Sequence, residues 1–339
     1  MRLLSHTVAL VIIIAACAGP PDSSLARDEQ AARDEGSARD AASATAANPQ
    51  RTVAFTFDDL PVISTTRDTA VQWSVTRGIL SALRESDAPA IGFVNEDKLG
   101  DRGARAARIR MLRAWLDAGH DLGNHSYSHP DLNTTPLALY TADITRGEEV
   151  TTALRGARPV YFRHPFLHAG NDSAKKAGLD RFLTDNDYRV APVTIDNQDW
   201  IFARAYDLAV DAADSSLAQR VADAYIVYMD TVFGFYEAQS RAIVGREIPQ
   251  VLLLHANRIN RDQLDELLAM ARRRGYAFVT LEEALRDSAY DRSDTYVGPA
   301  GITWLHRWAI TDALDRSIFI GEPEVPSFVA DAMNPAGSG

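Results

Sequence analysis

From residue 51 onward, short apolar runs alternate with stretches whose apolar residues recur at helical spacing. The runs at 52–57, 90–94, 120–123, 159–162, 189–195, 250–254 and 277–279 have strand length. Between the first two, Val71, Val75, Ile79 and Leu83 fall every four residues, one face of a helix. Ile109, Leu112, Trp115 and Leu116 mark a second helix, stopped by Gly119. Helical patterns also cover 136–154, 173–187 and most of 203–244. Asn260 with Gln263 reads as a capping box that opens a helix with Leu264, Leu267 and Leu268 inward, closed by Gly275; Thr280 with Glu283 reads as another box. Strand alternating with helix predicts a parallel sheet, and continuous apolar runs suit strands covered on both faces. With seven or so such units, the expected fold is an α/β barrel over 51–295. A helical insertion at about 203–248 and a C-terminal extension at 296–339 are expected to interrupt and follow it.

The first fifty residues carry a different pattern. Arg2 precedes an apolar run at 8–16, too short to span a bilayer, which ends in Ile14-Ala15-Ala16-Cys17. Residues 1–16 resemble a bacterial lipoprotein signal, with Cys17 as the lipidated residue; a plain secretory signal is the alternative. Residues 17–50, rich in Ala, Asp, Glu, Arg and Ser and without aromatics, read as a flexible tether. The expectation is an exported cell-envelope lipoprotein that meets the membrane only through Cys17, facing the periplasm from the outer membrane if the source is Gram-negative. Acids outnumber bases 46 to 35, a net charge of −11, which argues against a nucleic-acid partner. Cys17 is the one cysteine, so a Cys-rich zinc site and an internal disulfide are excluded, and any metal must be held by carboxylates and the eight histidines.

In a barrel of this type the chemistry sits at the C-terminal ends of the strands. Five polar clusters lie there: Asp58 and Asp59; His125 and His129; Arg163 with Pro165 and Phe166; Asp196, Asp199 and Trp200; and His255. Each has a bland reading alone. A carboxylate pair after a strand is commonly a turn or cap, Arg before Pro a surface residue, Asp-Trp a loop, and a strand-end His a hydrogen-bonded core residue. Together they are complementary. Two imidazoles and a carboxylate make a metal site with open positions, suited to Zn2+ or a similar ion. A second carboxylate can take a proton from water, a separate His can protonate a leaving group, and an Arg can hold the base ionised. The set specifies metal-assisted hydrolysis of an amide or ester.

The ordered motifs Thr56-Phe57-Asp58-Asp59, His125-Ser126-Tyr127-Ser128-His129-Pro130, Arg163-His164-Pro165-Phe166, Asp196-Asn197-Gln198-Asp199-Trp200 and Leu253-Leu254-His255 resemble the five motifs of polysaccharide deacetylases, the NodB-homology enzymes of carbohydrate esterase family 4. The resemblance spans about residues 52–285 and implies a distorted (β/α)7-8 barrel. It implies Asp58 as general base and Asp59, His125 and His129 as ligands of one divalent ion, Zn2+ first, with Co2+, Mn2+ or Ni2+ as alternatives. Arg163 would pair with Asp58, and the backbone N–H of Phe166 would help stabilise an oxyanion. His255 would be the acid, tuned by Asp199, and Trp200 and Leu253 would line the acetyl pocket. Leu253 and His255, two apart on a strand, point the same way. The implied activity is acetyl removal from an N-acetylated oligo- or polysaccharide. An O-acetyl esterase or non-glycan amidase on the same site, and a catalytically dead carbohydrate-binding lipoprotein, are the alternatives.

The chain departs from the family pattern at Leu60, where a Gly usually follows the acids and allows a freer turn; at Phe166, usually Tyr; and at Ala256, often Asp. The insertion and the extension, with Trp304 and Trp308, either roof the cleft or pack outside the barrel. His120 is expected to be a buried, hydrogen-bonded strand residue and His306 structural. His164 and His168 flank the site, and Trp73 and Trp115 belong to helix faces.

Overall fold

The computed structural model describes residues 51–100 and 102–334. The expected signal peptide and tether, Cys17 included, lie outside the described residues. In chain order the main elements are β1 (Arg51–Leu60), α1 (Thr69–Glu85), β2 (Ala90–Val94), α2 (Arg102–Asp117), β3 (Asp121–Asn124), α3 (Leu137–Arg146), α4 (Glu149–Arg155), β4 (Tyr161–Phe162), α5 (Ser173–Asp185) and β5 (Arg189–Val190). They continue with α6 (Asp199–Asp211), α7 (Ser215–Val244), β6 (Gln250–His255), α8 (Arg258–Arg273), β7 (Tyr276–Phe278), α9 (Leu281–Ala284), α10 (Trp304–Thr311) and α11 (Ser327–Met333).

The strands pair in parallel in the order β5-β4-β3-β2-β1-β6, with β7 against the first residues of β1. β1 runs through the middle of this sheet. Val53, Ala54, Phe55 and Phe57 are all buried, on both faces, as a continuously apolar parallel strand requires. The sheet closes through one segment. β5 pairs with β4 at one edge, and five residues past its end Ile195 bridges Leu252 of β6 at the other. There Thr194 N–H and Ile195 N–H donate to Val251 O, and Leu253 N–H donates to Ile195 O. The strand expected at 189–195 is therefore split, its start on one edge and its end on the other. The barrel reading is borne out.

Three local expectations are corrected. The helical stretch at 136–154 is two helices, broken at Gly147, where a Cβ would lie 2.4 Å from the Ser126 carbonyl carbon. The stretch at 203–244 is also two: α6 starts earlier, at Asp199, and Asp214 caps α7 by accepting from Leu217 N–H. The cap of α8 is Asn257, whose side chain accepts from Asn260 N–H, so Asn260 is freed for the interior. The Thr280–Glu283 box is present as read.

Insertion and extension both belong to the core. Val221, Tyr225, Met229, Phe233 and Tyr236 of α7, and Trp304, Leu305 and Trp308 of α10, are buried in the main apolar cluster. Each such side chain, Leu305 for example, contributes about 1.5–3 kcal/mol over leaving it in water. α11 packs on α6, with Val329 buried. Trp115 is a core residue and Trp73 is half-buried on α1.

Candidate active site

Successive residues of a regular strand point to opposite faces, so Asp58 and Asp59 could not share a site on an undistorted β1. The register with β2 shifts between Phe57 and Leu60, and Asp59 adopts a left-handed φ of 67°. That bulge brings both carboxylates to the same mouth. The positive φ falls on Asp59 and not on Leu60, so the missing glycine costs nothing there. Leu60 fills the space that Gly92 of β2 leaves open, for a Cβ on Gly92 would lie 2.3 Å from Leu60 Cδ2.

β3 ends at Asn124, which shapes the histidine loop. Its Oδ1 accepts from Ser126 N–H at 2.7 Å, and its Nδ2 donates to Ile144 O and Tyr188 Oη. Ser126 and His129 take φ values of 67° and 56°, and His129 N–H donates to Ser126 Oγ. The two imidazoles thus face each other from a tight loop, not a helix turn. His125 Nδ1 donates to Arg163 O at 2.7 Å, which turns its Nε2 toward the acids. That Nε2 is 3.9 Å from Asp59 Oδ1, and His129 Nε2 is 3.7 Å from the same oxygen. Backbone strain of this kind, repeated at Asp59, Ser126, His129 and Phe166 (φ 57°), concentrates where the surroundings over-determine it.

The donor set fits a divalent ion. One ligand atom from each of Asp59, His125 and His129 lies within 4.8 Å of the others. Burial lowers the His125 imidazole to about 3 and His129 to about 4, so both keep the lone pair a ligand needs. Burial opposes ionisation of Asp59, but Lys98, whose Nζ is 2.7 Å from Oδ1, and the nearby imidazoles outweigh it and hold the carboxyl well below its usual range. Asp58 Oδ1 is buried without a hydrogen-bond partner among the described residues, a free acceptor on a residue that lines the cleft.

Arg163 is fully buried behind Asp58. Its Nη1 donates to Asp58 Oδ2 at 3.3 Å and its Nη2 to Thr56 Oγ1 at 3.0 Å. Burial raises the Asp58 carboxyl, and Arg163 opposes that rise. Across the cleft, Asp199 in the first turn of α6 accepts four bonds. Oδ1 takes His255 Nδ1–H at 2.7 Å; Oδ2 takes His255 N–H, Asn257 Nδ2 and Asn260 Nδ2 at 2.9, 3.2 and 2.8 Å. Burial alone would lower the His255 imidazole, but Asp199, with Asp59 and Asp58 beyond it, raises it to about 9.

The cleft encloses about 400 Å3, lined by Asp58, Asp59, His125, His129, Phe166, Trp200, Leu253 and His255, with His164, Asp196 and Gly301 among the others. Phe166 and Trp200 stand half-exposed at the mouth, while Leu253 is buried deeper. Asp196, pushed up to about 7 by burial, faces the same space. The extension forms a wall here: a Cβ on Gly301 would lie 1.8 Å from Phe166 O, so only glycine admits this approach. Asn133 Nδ2 fastens the same segment by donating to Pro299 O.

All ten sequence-predicted site residues therefore gather at one mouth, Asp199 and Arg163 just behind it. Lys98, Asn124, Asn260 and Gly301 were missed. His120 departs from expectation: it precedes β3, is half-buried, and neither ring nitrogen has a partner among the described residues; it packs edge-on against Trp115. His164 is buried and lines the cleft, His168 pairs with Asp131 at 2.7 Å, and His306 is buried among Phe235, Tyr236 and Phe319.

Fold and cluster together define a parallel α/β barrel with an Asp/His/His candidate metal centre at the C-terminal mouth of its strands. Residues 45–182, which hold the first three of the five motifs, match the family model of polysaccharide deacetylase, so the resemblance is borne out over that stretch. The chain is 31% identical to a chitin deacetylase of Colletotrichum lindemuthianum over 150 residues, 44% of this chain and 52% of that protein. It is 28% identical to a peptidoglycan-N-acetylglucosamine deacetylase of Bacillus cereus over 148 residues, 44% of this chain and 46% of that one. The matches thus span about half the length of these relatives. Among solved structures, the chitin deacetylase of Colletotrichum lindemuthianum superposes with a TM-score of 0.49 at 22% identity, over 72% of this chain and 91% of that one.

Proposed function

We propose that this chain is a divalent-metal-dependent deacetylase that hydrolyses the acetamide of an N-acetylated glycan. The observation that carries the reading is the pairing of two opposed devices across one cleft: Asp58 backed by Arg163 on the side of Asp59, His125 and His129, and His255 backed by Asp199 on the other. The names of the matching relatives, chitin and peptidoglycan deacetylases, support the same class.

Asp59, His125 and His129 would hold the ion, with Zn2+ the first expectation. Such an ion supplies Lewis-acid polarisation of the acetyl carbonyl and makes water more acidic. Asp58, held by Arg163, accepts the proton from the attacking water through its unpartnered Oδ1. His255 keeps its proton near neutrality and gives it from Nε2 to the departing amine, since Nδ1–H is engaged by Asp199. Leu253 offers the acetyl methyl an apolar floor, and Trp200 and Phe166 flank the sugar at the rim. The Phe166 backbone N–H assists the developing oxyanion. The products are free acetate and the de-N-acetylated sugar.

The test is acetate release from an N-acetylglucosamine oligomer, followed through chelation and re-addition of metal. Release that is lost with chelator and restored by Zn2+ or Co2+ is the expected result. Release only from acetylated xylan would make it an O-acetyl esterase, and none from any acetylated substrate would remove the hydrolase reading.

A further inference from the structure

Beside the cleft lies a second groove of about 470 Å3, within the size range of about 300–1,000 Å3 typical of ligand sites. The two adjoin at Asp59 and Ile63, which line both. The groove is cationic: Arg67, Lys98 and Arg108 line it, and Asp59 is the one carboxylate among its lining residues. That surplus runs against a chain of net charge −11, so it does not follow from overall composition.

Arg108 is held in place. Arg108 Nε donates to Gln72 Oε1 at 3.1 Å, and the buried Gln72 is itself fixed by donating from Nε2 to Thr66 O at 2.9 Å. Lys98 rests on Asp59, and Arg67 is exposed at the rim. Asp68, next to Arg67, caps α1 by accepting from Ala70 N–H, and Asp207 and Asp211, reached through Thr65, are ion-paired with Arg258 at 3.4 and 2.9 Å. Lys98 is paired with Asp59, whereas Arg67 and Arg108 have no carboxylate partner among the described residues. Once Asp59 carries a divalent ion, its charge no longer balances Lys98, and the groove becomes more positive.

We propose that this groove is a subsite for an anionic sugar, so that the substrate is a glycan in which a carboxylate-bearing residue neighbours the N-acetylated one. The inference rests on the deacetylase reading for the neighbouring cleft and names the class of glycan it takes. A guanidinium fork matches a carboxylate in geometry and charge, and Ser64 and Thr66 supply the polar rim that sugar hydroxyls need.

The probe is a hexasaccharide of alternating glucuronate and N-acetylglucosamine, compared with the same molecule carrying methyl-esterified carboxylates. Binding to the zinc-loaded protein is read by calorimetry at low and high salt. The acid form should bind about tenfold or more tightly than the ester, with the ratio shrinking as salt screens it. In Arg67→Gln/Arg108→Gln the ratio should fall to about threefold or less, and in Arg67→Gln alone, an exposed position, it should fall part of the way. Equal binding of acid and ester, binding of neither, or a ratio that survives both substitutions overturns the subsite. Acetate release from a neutral N-acetylglucosamine hexamer is measured in parallel. Release without any acid preference leaves the deacetylase reading and removes the subsite; acid preference without release from either substrate does the reverse.

Discussion

Asp199 is fully buried, and its charge is compensated chiefly by one imidazole. Asp199→Asn keeps the shape and removes the charge. The side carrying Oδ2 receives three N–H donors, so the amide oxygen must take that side and the amide NH2 must face His255 Nδ1. The imidazole then loses its main support while its burial remains. It stands at about 9 against an ordinary 6.5, and at about 1.36 kcal/mol per pH unit that difference is about 3 kcal/mol. The alkaline limb of the rate profile should therefore move down by about two pH units or more. Amide hydrolysis at neutral pH should fall by about 10²-fold, with metal binding retained. The direct assay is an NMR titration of the His255 ring in metal-free protein, because a bound cation offsets the help His255 receives from Asp59 and Asp58. Stability carries the same signature. A histidine whose folded pKa exceeds its unfolded value contributes stability that is fully present below about 6.5 and is lost as pH rises through about 9. The melting difference between wild type and variant should be widest in mild acid and narrow above that range. An unmoved titration, or a melting gap that grows with pH, would refute the reasoning.

His125→Ala should lose stoichiometric Zn2+ in calorimetry as well as acetate release, because two remaining protein ligands are too few for such a centre; full occupancy would exclude the assignment. His255→Ala should lose acetamide hydrolysis by about 10²-fold or more yet keep much of its turnover of an aryl acetate, whose leaving group departs unprotonated; equal losses would make His255 structural. Gly301→Ala drives a methyl into the Phe166 carbonyl, so it should lower the melting temperature and raise KM through the displaced loop, and unchanged values in both would show that the wall yields freely.

The barrel was legible because each strand is an apolar run at its own place in the chain, and so was the gathering of Asp58, His125, Arg163 and His255, since each ends such a run. The seam was not. Hydrogen bonds from Ile195 to Val251 and from Leu253 to Ile195 join residues more than fifty positions apart, and nothing local marks them. The bulge at Asp59 was hidden for a similar reason: a positive φ is readable when glycine supplies it, and here an aspartate is forced into it. Asn260 was misread because the same side chain that suits a cap suits a buried hydrogen-bond network, and Asp199, sixty-one residues away, decides between them. Lys98 sits on a short turn after β2 with no pattern to single it out; only the fold brings it to Asp59.

The segment from Arg189 to Ile195 acts as a hoop. The candidate metal ligands Asp59, His125 and His129 are laid down before it, and Asp199 and His255 come after it. β1 and β6 are themselves paired in register, Asp58 opposite His255, so that pairing sets the distance from base to acid, and the few backbone bonds at each end of the hoop close the other side of the mouth. A slackened hoop would leave Asp58 beside His255 and would instead part the wall of the cleft between His164 and Phe166 on one side and Asp196 and Trp200 on the other. The width of the cleft is thus a property of barrel circumference, settled by a stretch of chain that contributes no side chain to the chemistry.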